Sequence, residues 1–362
     1  MPVTLAFAGA GHITIVHGLA ARDVPGLTIT RVASRTPEAA AERARQIGAQ
    51  PATYAELPAG ADAVLVATPP GRHAADALAA LAGGAHVLVE KPLCTTLDQA
   101  DALVEASQAA GGALSYGENL AFAPVVLAAE SAVRRMGPIT HLEVRALQDR
   151  PDWGGFLQAD WGGGALFDLG VHPLAVALLL AGVGPDNGRD GGPRIVAVRG
   201  RLDGAADIDV DEYAEVDLLF DSGLVARVVA SWRSPAAQWD LQVASATGVV
   251  RADLLPHLTL EIDGQPAALP PVPDGTDLPQ IHQFGYVEQL AEMARDVTEH
   301  TAPLLGAAFG RFVLELVCAA YTSAGRDGEA VELPFTGSRQ HTPLELWRPL
   351  PPDAGPMSSA TA

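Results

Sequence analysis

Almost at once the chain reaches a turn bracketed by glycines. The apolar run Val3–Ala8 stops at Gly9-Ala10-Gly11, and His12–Arg22 then reads as a helix. Glycines between a strand and a helix permit a sharp bend and bring backbone N–H groups close to an anion at the helix N-terminus. Further strands and helices alternate behind this opening. Leu27–Ala33, Ala63–Ala67, His86–Val89 and Leu114–Tyr116 read as strands, with helices at Pro37–Ile47, His73–Ala82 and Leu97–Ala109 between them. Short apolar strands separated by helices imply a parallel sheet covered on both faces. The expectation is an α/β Rossmann dinucleotide-binding domain over residues 1–120.

The pattern changes beyond residue 120. Phe122–Met136 reads as a helix, Ile139–Leu147 as a strand and Ala165–Ala181 as an apolar helical stretch. Strands follow at Ile195–Leu202, Glu212–Phe220, Val225–Trp232, Asp240–Ser245, Val249–Ala252 and Leu258–Ile262, with a hairpin turn at Asp221-Ser222-Gly223. Helices at Gln280–Glu299 and Pro303–Ala324 come last. Strands in a run, flanked by helices, predict an α+β domain over 121–348 with a mostly antiparallel sheet. Its helices cover one face only. The open face is a natural contact surface, so a homodimer or homotetramer is expected. Residues 349–362 read as a flexible tail.

Composition narrows the partners. A formal net charge of -20 disfavours nucleic acid and anionic membranes. The only cysteines, Cys94 and Cys318, cannot build a disulfide framework, and no Cys/His spacing reads as a metal site. No basic segment precedes the first apolar run, and no apolar run approaches the roughly 18 residues of a membrane span, the longest being Leu174–Val183. A cytoplasmic location is expected.

Three loops fall where open α/β sheets bind ligands, at the carboxyl ends of strands. The first is Gly9-Ala10-Gly11-His12-Ile13-Thr14, in which Thr14 replaces the usual third glycine and predicts looser helix packing. The others are Thr68-Pro69-Pro70-Gly71-Arg72-His73 and Glu90-Lys91-Pro92. At the end of the second strand, Ser34-Arg35-Thr36 stands where a carboxylate would select the ribose hydroxyl. Two hydroxyls and a guanidinium suit a 2′-phosphate, so NADP is expected, with NAD as the alternative. Of 23 lysines and arginines, only position 91 is lysine. A compact ammonium kept where every other cation is a guanidinium points to chemistry specific to the amine.

These motifs, together with Asn119 and Gly162-Gly163-Gly164-Ala165-Leu166-Phe167-Asp168-Leu169-Gly170-Val171-His172, resemble those of the Gfo/Idh/MocA oxidoreductases over roughly residues 3 to 345. The resemblance implies an active site lined by Lys91, Asp168 and His172. It places Gly9, Gly11, His12, Ile13, Ser34, Arg35, Thr68, Pro69, His73, Glu90, Lys91 and Asn119 at the nucleotide. Asp168 and His172 stand one helical turn apart, and Pro173 predicts a kink near Gly170. Trp153 and Trp161 flank the glycine run, either walling a substrate pocket or filling the core. Ala175 departs from the aspartate often found there in the family, which puts the substrate in doubt. The expected reaction moves a hydride between nicotinamide and a hydroxyl or carbonyl carbon of a sugar-like or cyclic polyol substrate. A cofactor-retaining glycosidase or lyase, and a non-catalytic nucleotide-binding regulator, are the competing readings.

Overall fold

The computed structural model describes residues 2–188, 191–273 and 280–348. The tail at 349–362 and the end of the loop at 267–279 lie outside them. The chain begins with β1 (Val3–Ala8), α1 (His12–Ala20), β2 (Leu27–Ala33), α2 (Pro37–Ile47) and β3 (Gln50–Ala52). There follow β4 (Ala63–Val66), α3 (Pro70–Ala82), β5 (His86–Glu90), α4 (Leu97–Ala109), β6 (Leu114–Gly117) and α5 (Pro124–Val133). Next come β7 (Ile139–Asp149), α6 (Ala165–Asp168), α7 (Val171–Ala181), β8 (Ile195–Gly204), β9 (Asp211–Phe220) and β10 (Val225–Ser231). The remainder is β11 (Arg233–Ser245), β12 (Val249–Leu255), β13 (Thr259–Ile262), β14 (Gln265–Pro266), α8 (Tyr286–Glu299), α9 (Ala307–Ala324), β15 (Val331–Glu332) and α10 (Pro343–Trp347).

Two compact units arise, and neither is continuous in sequence. One gathers the described residues of 1–94, 99–128 and 269–311; the other gathers those of 95–98, 129–268 and 312–348. A single cut near residue 120 therefore misses the return of α8 to the first unit.

The first unit holds a parallel sheet in the order β3-β2-β1-β4-β5-β6. The order reverses between β1 and β4, and a crevice for a ligand opens at such a switch point. Every residue of β4, β5 and β6 is buried, as expected for strands covered on both faces. The sequence shows no sign of β3. It is a three-residue edge strand carrying Pro51, which an edge tolerates. α8 buries Val287, Leu290 and Met293 in one cluster with Leu5, Phe7, Ala20 and Val24. It starts six residues later than expected because Gly285 takes φ 76. A side chain at 285 would stand 2.5 Å from the Asn119 carbonyl oxygen.

His86, at the start of β5, is buried and shares a 2.8 Å hydrogen bond with the Ser115 hydroxyl. Burial pushes its pKa down to about 4. The folded chain thus binds fewer protons than the unfolded chain between the two pKa values. The stability is fully present above about pH 6.5 and is lost as pH falls toward 4. Urea titrations should show a loss of about 3 kcal/mol across that window. His86→Gln should remove most of this slope, and an unchanged slope would reject the assignment.

The second unit holds a nine-stranded sheet, β14-β13-β12-β11-β7-β10-β9-β8-β15. Neighbours pair antiparallel throughout the described residues, except β7 with β10. Alternation sets its faces: Leu142, Val144 and Ala146 of β7 are buried, whereas Glu143 and Arg145 are not. The second face is ion-paired rather than apolar. Arg145 meets Asp240 at 2.7 Å, and Arg227 meets Asp217 at 2.9 Å. β11 begins seven residues before the expected Asp240, its early part joined through a register shift between Arg233 and Gln238.

Among the described residues one helix, α9, has the length and mean hydropathy to cross a membrane, and 83% of it is buried within the fold. Counting uninterrupted apolar runs missed it because Arg311 and Glu315 break the run. Both are engaged: Arg311 pairs with Asp101 at 3.0 Å, and Glu315 accepts the Phe335 N–H at 2.8 Å.

Candidate active site

The glycine turn is shaped for a nucleotide. Gly9 has φ 115, and a side chain there would lie 2.3 Å from the Ala67 carbonyl oxygen at the end of the neighbouring strand. Gly11 caps α1 with an extended backbone, no side-chain hydrogen bond and open space where a Cβ would be. No acidic residue occupies the first turn. The leading N–H groups of α1 therefore present partial positive charge to a clear cradle, and a pyrophosphate fits it. His12 is exposed at this turn, and Ile13 is half-buried against the core.

Thr14 does not loosen the packing. It is fully buried, and its hydroxyl donates to the Gly9 carbonyl at 3.1 Å, pinning the turn. Close approach of the helices is granted instead by Gly18, where a Cβ would meet Ile47 at 2.5 Å. Sequence reasoning also missed Arg43. Its Nε and Nη2 both donate to the Ala10 carbonyl, at 3.1 and 2.9 Å, bracing the same turn from α2.

At the end of β2, Ser34 is half-buried and Arg35 exposed. Thr36 has another duty: its hydroxyl caps α2 by accepting the Ala39 N–H at 3.3 Å. Arg35 is thus left as the cation at this strand end. Nearby, Arg72 lies 5.3 Å over the Tyr54 ring and pairs with Asp76 at 2.6 Å. Burial and then Asp76 push the Tyr54 hydroxyl up, while Arg72 and Arg35 oppose them, so both guanidinium groups act on this one phenol.

The loops after β4 and β5 are joined through side chains. Thr68 donates its hydroxyl to Asp76 at 2.8 Å, and Pro69 is exposed ahead of α3. His73 is 1% exposed, and its ring faces the Pro92 carbonyl at 2.8 Å and the Thr68 carbonyl at 2.6 Å. Both nitrogens of the ring thus face backbone carbonyls. Glu90 is buried; one oxygen meets His17 at 2.6 Å and the other accepts the Lys91 N–H at 3.0 Å. Burial pushes the Glu90 carboxyl up, but His17, Lys91 and His73 outweigh it and hold the group below its usual range. Asn119 is also committed inward, donating to the Phe284 carbonyl at 2.8 Å. The Lys91–Pro92 bond is cis.

In the second unit the glycine-rich segment is anchored by two residues the sequence did not flag. The buried Asp211 carboxylate accepts the N–H of Gly164 at 3.0 Å, the N–H of Leu166 at 2.8 Å, and the Tyr321 hydroxyl. Burial pushes Asp211 up, and these hydrogen bonds oppose it. A side chain at Gly164 would lie 2.1 Å from the Asp211 carbonyl, so the approach needs glycine. The expected kink is present: Ala159–Asp168 and Val171–Ala181 meet at 43°. Gly170 sits in the break, where a Cβ would come 2.7 Å from the Leu166 carbonyl.

Asp168 and His172 stand on either side of this bend, 5% and 6% exposed. Trp239 of β11 packs against the His172 ring at 5.7 Å. Trp161 is half-buried with Phe156 edge-on at 4.5 Å, whereas Trp153 is 49% exposed. Ala175 is fully buried in α7. Among the described residues no group of three or more His, Cys, Asp or Glu could hold a metal ion.

A doubly wound sheet with a glycine cradle at its switch point, accompanied by an α+β unit, defines a two-part chain built to bind a dinucleotide. Residues 3–118 match the oxidoreductase family model with an NAD-binding Rossmann fold, and residues 128–251 match the GFO/IDH/MocA C-terminal domain. The chain belongs to the Gfo/Idh/MocA family.

It is 28% identical to D-xylose 1-dehydrogenase (NADP(+)) 2 of Haloferax volcanii over 345 residues, 91% of this chain and 98% of that one. A putative UDP-kanosamine synthase oxidoreductase subunit of Amycolatopsis mediterranei is 34% identical over 200 residues, 52% of this chain and 55% of that relative. The chain thus spans about half the length of some relatives it matches. Among solved structures, GenD2 from gentamicin A biosynthesis, in complex with NAD, superposes with TM-score 0.78 at 26% identity, covering 91% of this chain and 96% of that one.

Proposed function

We propose that the chain is an NADP-preferring dehydrogenase acting on a hydroxyl of a sugar-like or cyclic polyol substrate. The observation that carries the reading is the sole lysine, mounted on a braced turn at the carboxyl edge of a nucleotide-binding sheet. The xylose dehydrogenase likeness over nearly the full chain supports the substrate class.

Bound nicotinamide nucleotide supplies the hydride acceptor. The residues of the chain do the rest. His172 accepts the hydroxyl proton as general base. Lys91 is the donor that stabilises negative charge growing on a substrate oxygen. Asp168, one turn from His172, orients the base and the hydroxyl network. The indole of Trp239 beside His172 offers an apolar surface to substrate C–H groups. With Ala175 buried, α7 brings no carboxylate to a further hydroxyl there.

A panel of sugars and polyols, assayed with each nucleotide, tests the reading. Net reduction of NADP supports it. Sugar release without net reduction would favour the glycosidase or lyase reading, and tight nucleotide binding with no turnover would favour a regulator.

Arg35 carries the cofactor preference. Arg35→Ala should raise the KM for NADP about tenfold or more while leaving that for NAD nearly unchanged, as expected for loss of a charge-assisted phosphate contact. An unaltered ratio would remove Arg35 from the site. We also propose that the protein is a homo-oligomer, which sedimentation at several concentrations checks.

A further inference from the structure

We propose that His17 and His73 are positioning residues that fix the backbone from which Lys91 projects. The catalytic meaning of the proposal rests on the dehydrogenase reading above; its structural content does not.

The hydrogen bonds of two buried histidines, one on α1 and one on α3, converge on one tripeptide. His17, on α1, is 0% exposed, and its Nε2 lies 2.6 Å from Glu90 Oε1. Tyr286 meets the same ring edge-on at 5.4 Å. Glu90 Oε2 accepts the Lys91 N–H at 3.0 Å. From α3, His73 reaches the Pro92 carbonyl with Nδ1 at 2.8 Å, and the Thr68 carbonyl with Nε2 at 2.6 Å. Residues 90–92 are therefore held at the amide before the lysine side chain and, when the proton is on His73 Nδ1, at the carbonyl after it.

Chemistry favours a purpose for this arrangement. The Lys91 N–H and the Pro92 carbonyl sit beyond the end of β5, where the sheet ladder no longer supplies partners. Side chains replace the ladder. Apolar side chains at positions 17, 73 and 90 together would fill the same space without the desolvation cost of two buried imidazoles and a carboxylate. Carbonyl oxygens only accept, so a neutral His73 ring donates to one of its two partners and a protonated ring to both. Either form leaves at least one of the two loops held.

The amine itself reports the result. Lys91 is the only lysine, so full-length protein made with [ε-13C]lysine gives one lysine resonance. Its shift and titration midpoint are read in the wild type and in His17→Leu, His73→Leu, His17→Gln and His73→Gln. We expect each leucine variant to move the Lys91 signal and shift its midpoint by about half a pH unit or more. Glutamine keeps an amide donor and should return the signal most of the way. On a substrate found by the panel, kcat should fall about tenfold in the leucine variants, with the KM for NADP within about threefold.

An unmoved lysine signal in a folded leucine variant overturns the proposal. So does a glutamine variant as disturbed as its leucine counterpart, or unfolding of all four variants, which would make the role one of fold stability. A moved signal in a protein that turns over nothing sinks the dehydrogenase reading alone. Turnover with an unmoved signal sinks the positioning role alone.

Discussion

Lys91→Met should cut kcat by about a hundredfold to a thousandfold, the range found when a donor to a developing oxyanion is removed. Affinity for NADP should stay within about threefold of the wild type, because the cradle at Gly9 and Gly11 is built from backbone. Methionine keeps the body of the side chain and deletes the terminal ammonium, its charge and its donors together. No second lysine exists to substitute for it. One further effect follows from the geometry. Lys91 helps hold the Glu90 carboxyl down, so the variant's Glu90 should titrate higher than in the wild type. Initial rates and nucleotide fluorescence titrations check the first two outcomes. Near-normal turnover would remove Lys91 from the reaction.

Asp211→Ala should cost both stability and rate. The substitution strands the Leu166 amide and the Tyr321 hydroxyl proton in a buried space and leaves the Gly164 amide only the Tyr321 oxygen. Each unmet group costs about 1–3 kcal/mol, so a total near 3 kcal/mol or more is expected. The same hydrogen bonds set the start of α6, which carries Asp168 and leads into the bend before His172. The rate should therefore fall even where the variant remains folded. Asp211→Asn keeps one acceptor and should be milder on both counts. Chemical denaturation and kcat, measured together on both variants, decide the matter. A folded Asp211→Ala protein with normal kcat would show that the frame around Asp168 is set elsewhere.

Features that depend on local chemistry were legible in the sequence. Gly9 announces the cradle because only glycine fits there, Gly11 leaves the space beside the helix start clear, and the kink at Gly170 follows from Pro173. The strand–helix alternation announced a parallel sheet covered on both faces because buried parallel strands read as unbroken apolar runs. Long-range partners were not legible. Asp211 is 47 residues from Gly164, and Tyr321 is 157 residues from it. Nothing near the glycine run marks either one. The amphipathic pattern of α8 shows that one face is buried, but not that β1 and α1 are what it covers. His73 illustrates the opposite trap. Its place in a loop motif suggests contact with the nucleotide, whereas the ring is bound to two carbonyls.

The interrupted make-up of the first unit governs how it comes off the ribosome. Its opening strands and α1 are synthesised early, yet Val287, Leu290 and Met293, which complete their apolar cluster, emerge only after most of the message has been read. Until then that surface stays unsealed, a state prone to clumping or to rescue by chaperones. A recombinant fragment ending at residue 120 should accordingly precipitate, and adding a peptide that spans Tyr286–Glu299 should restore its solubility.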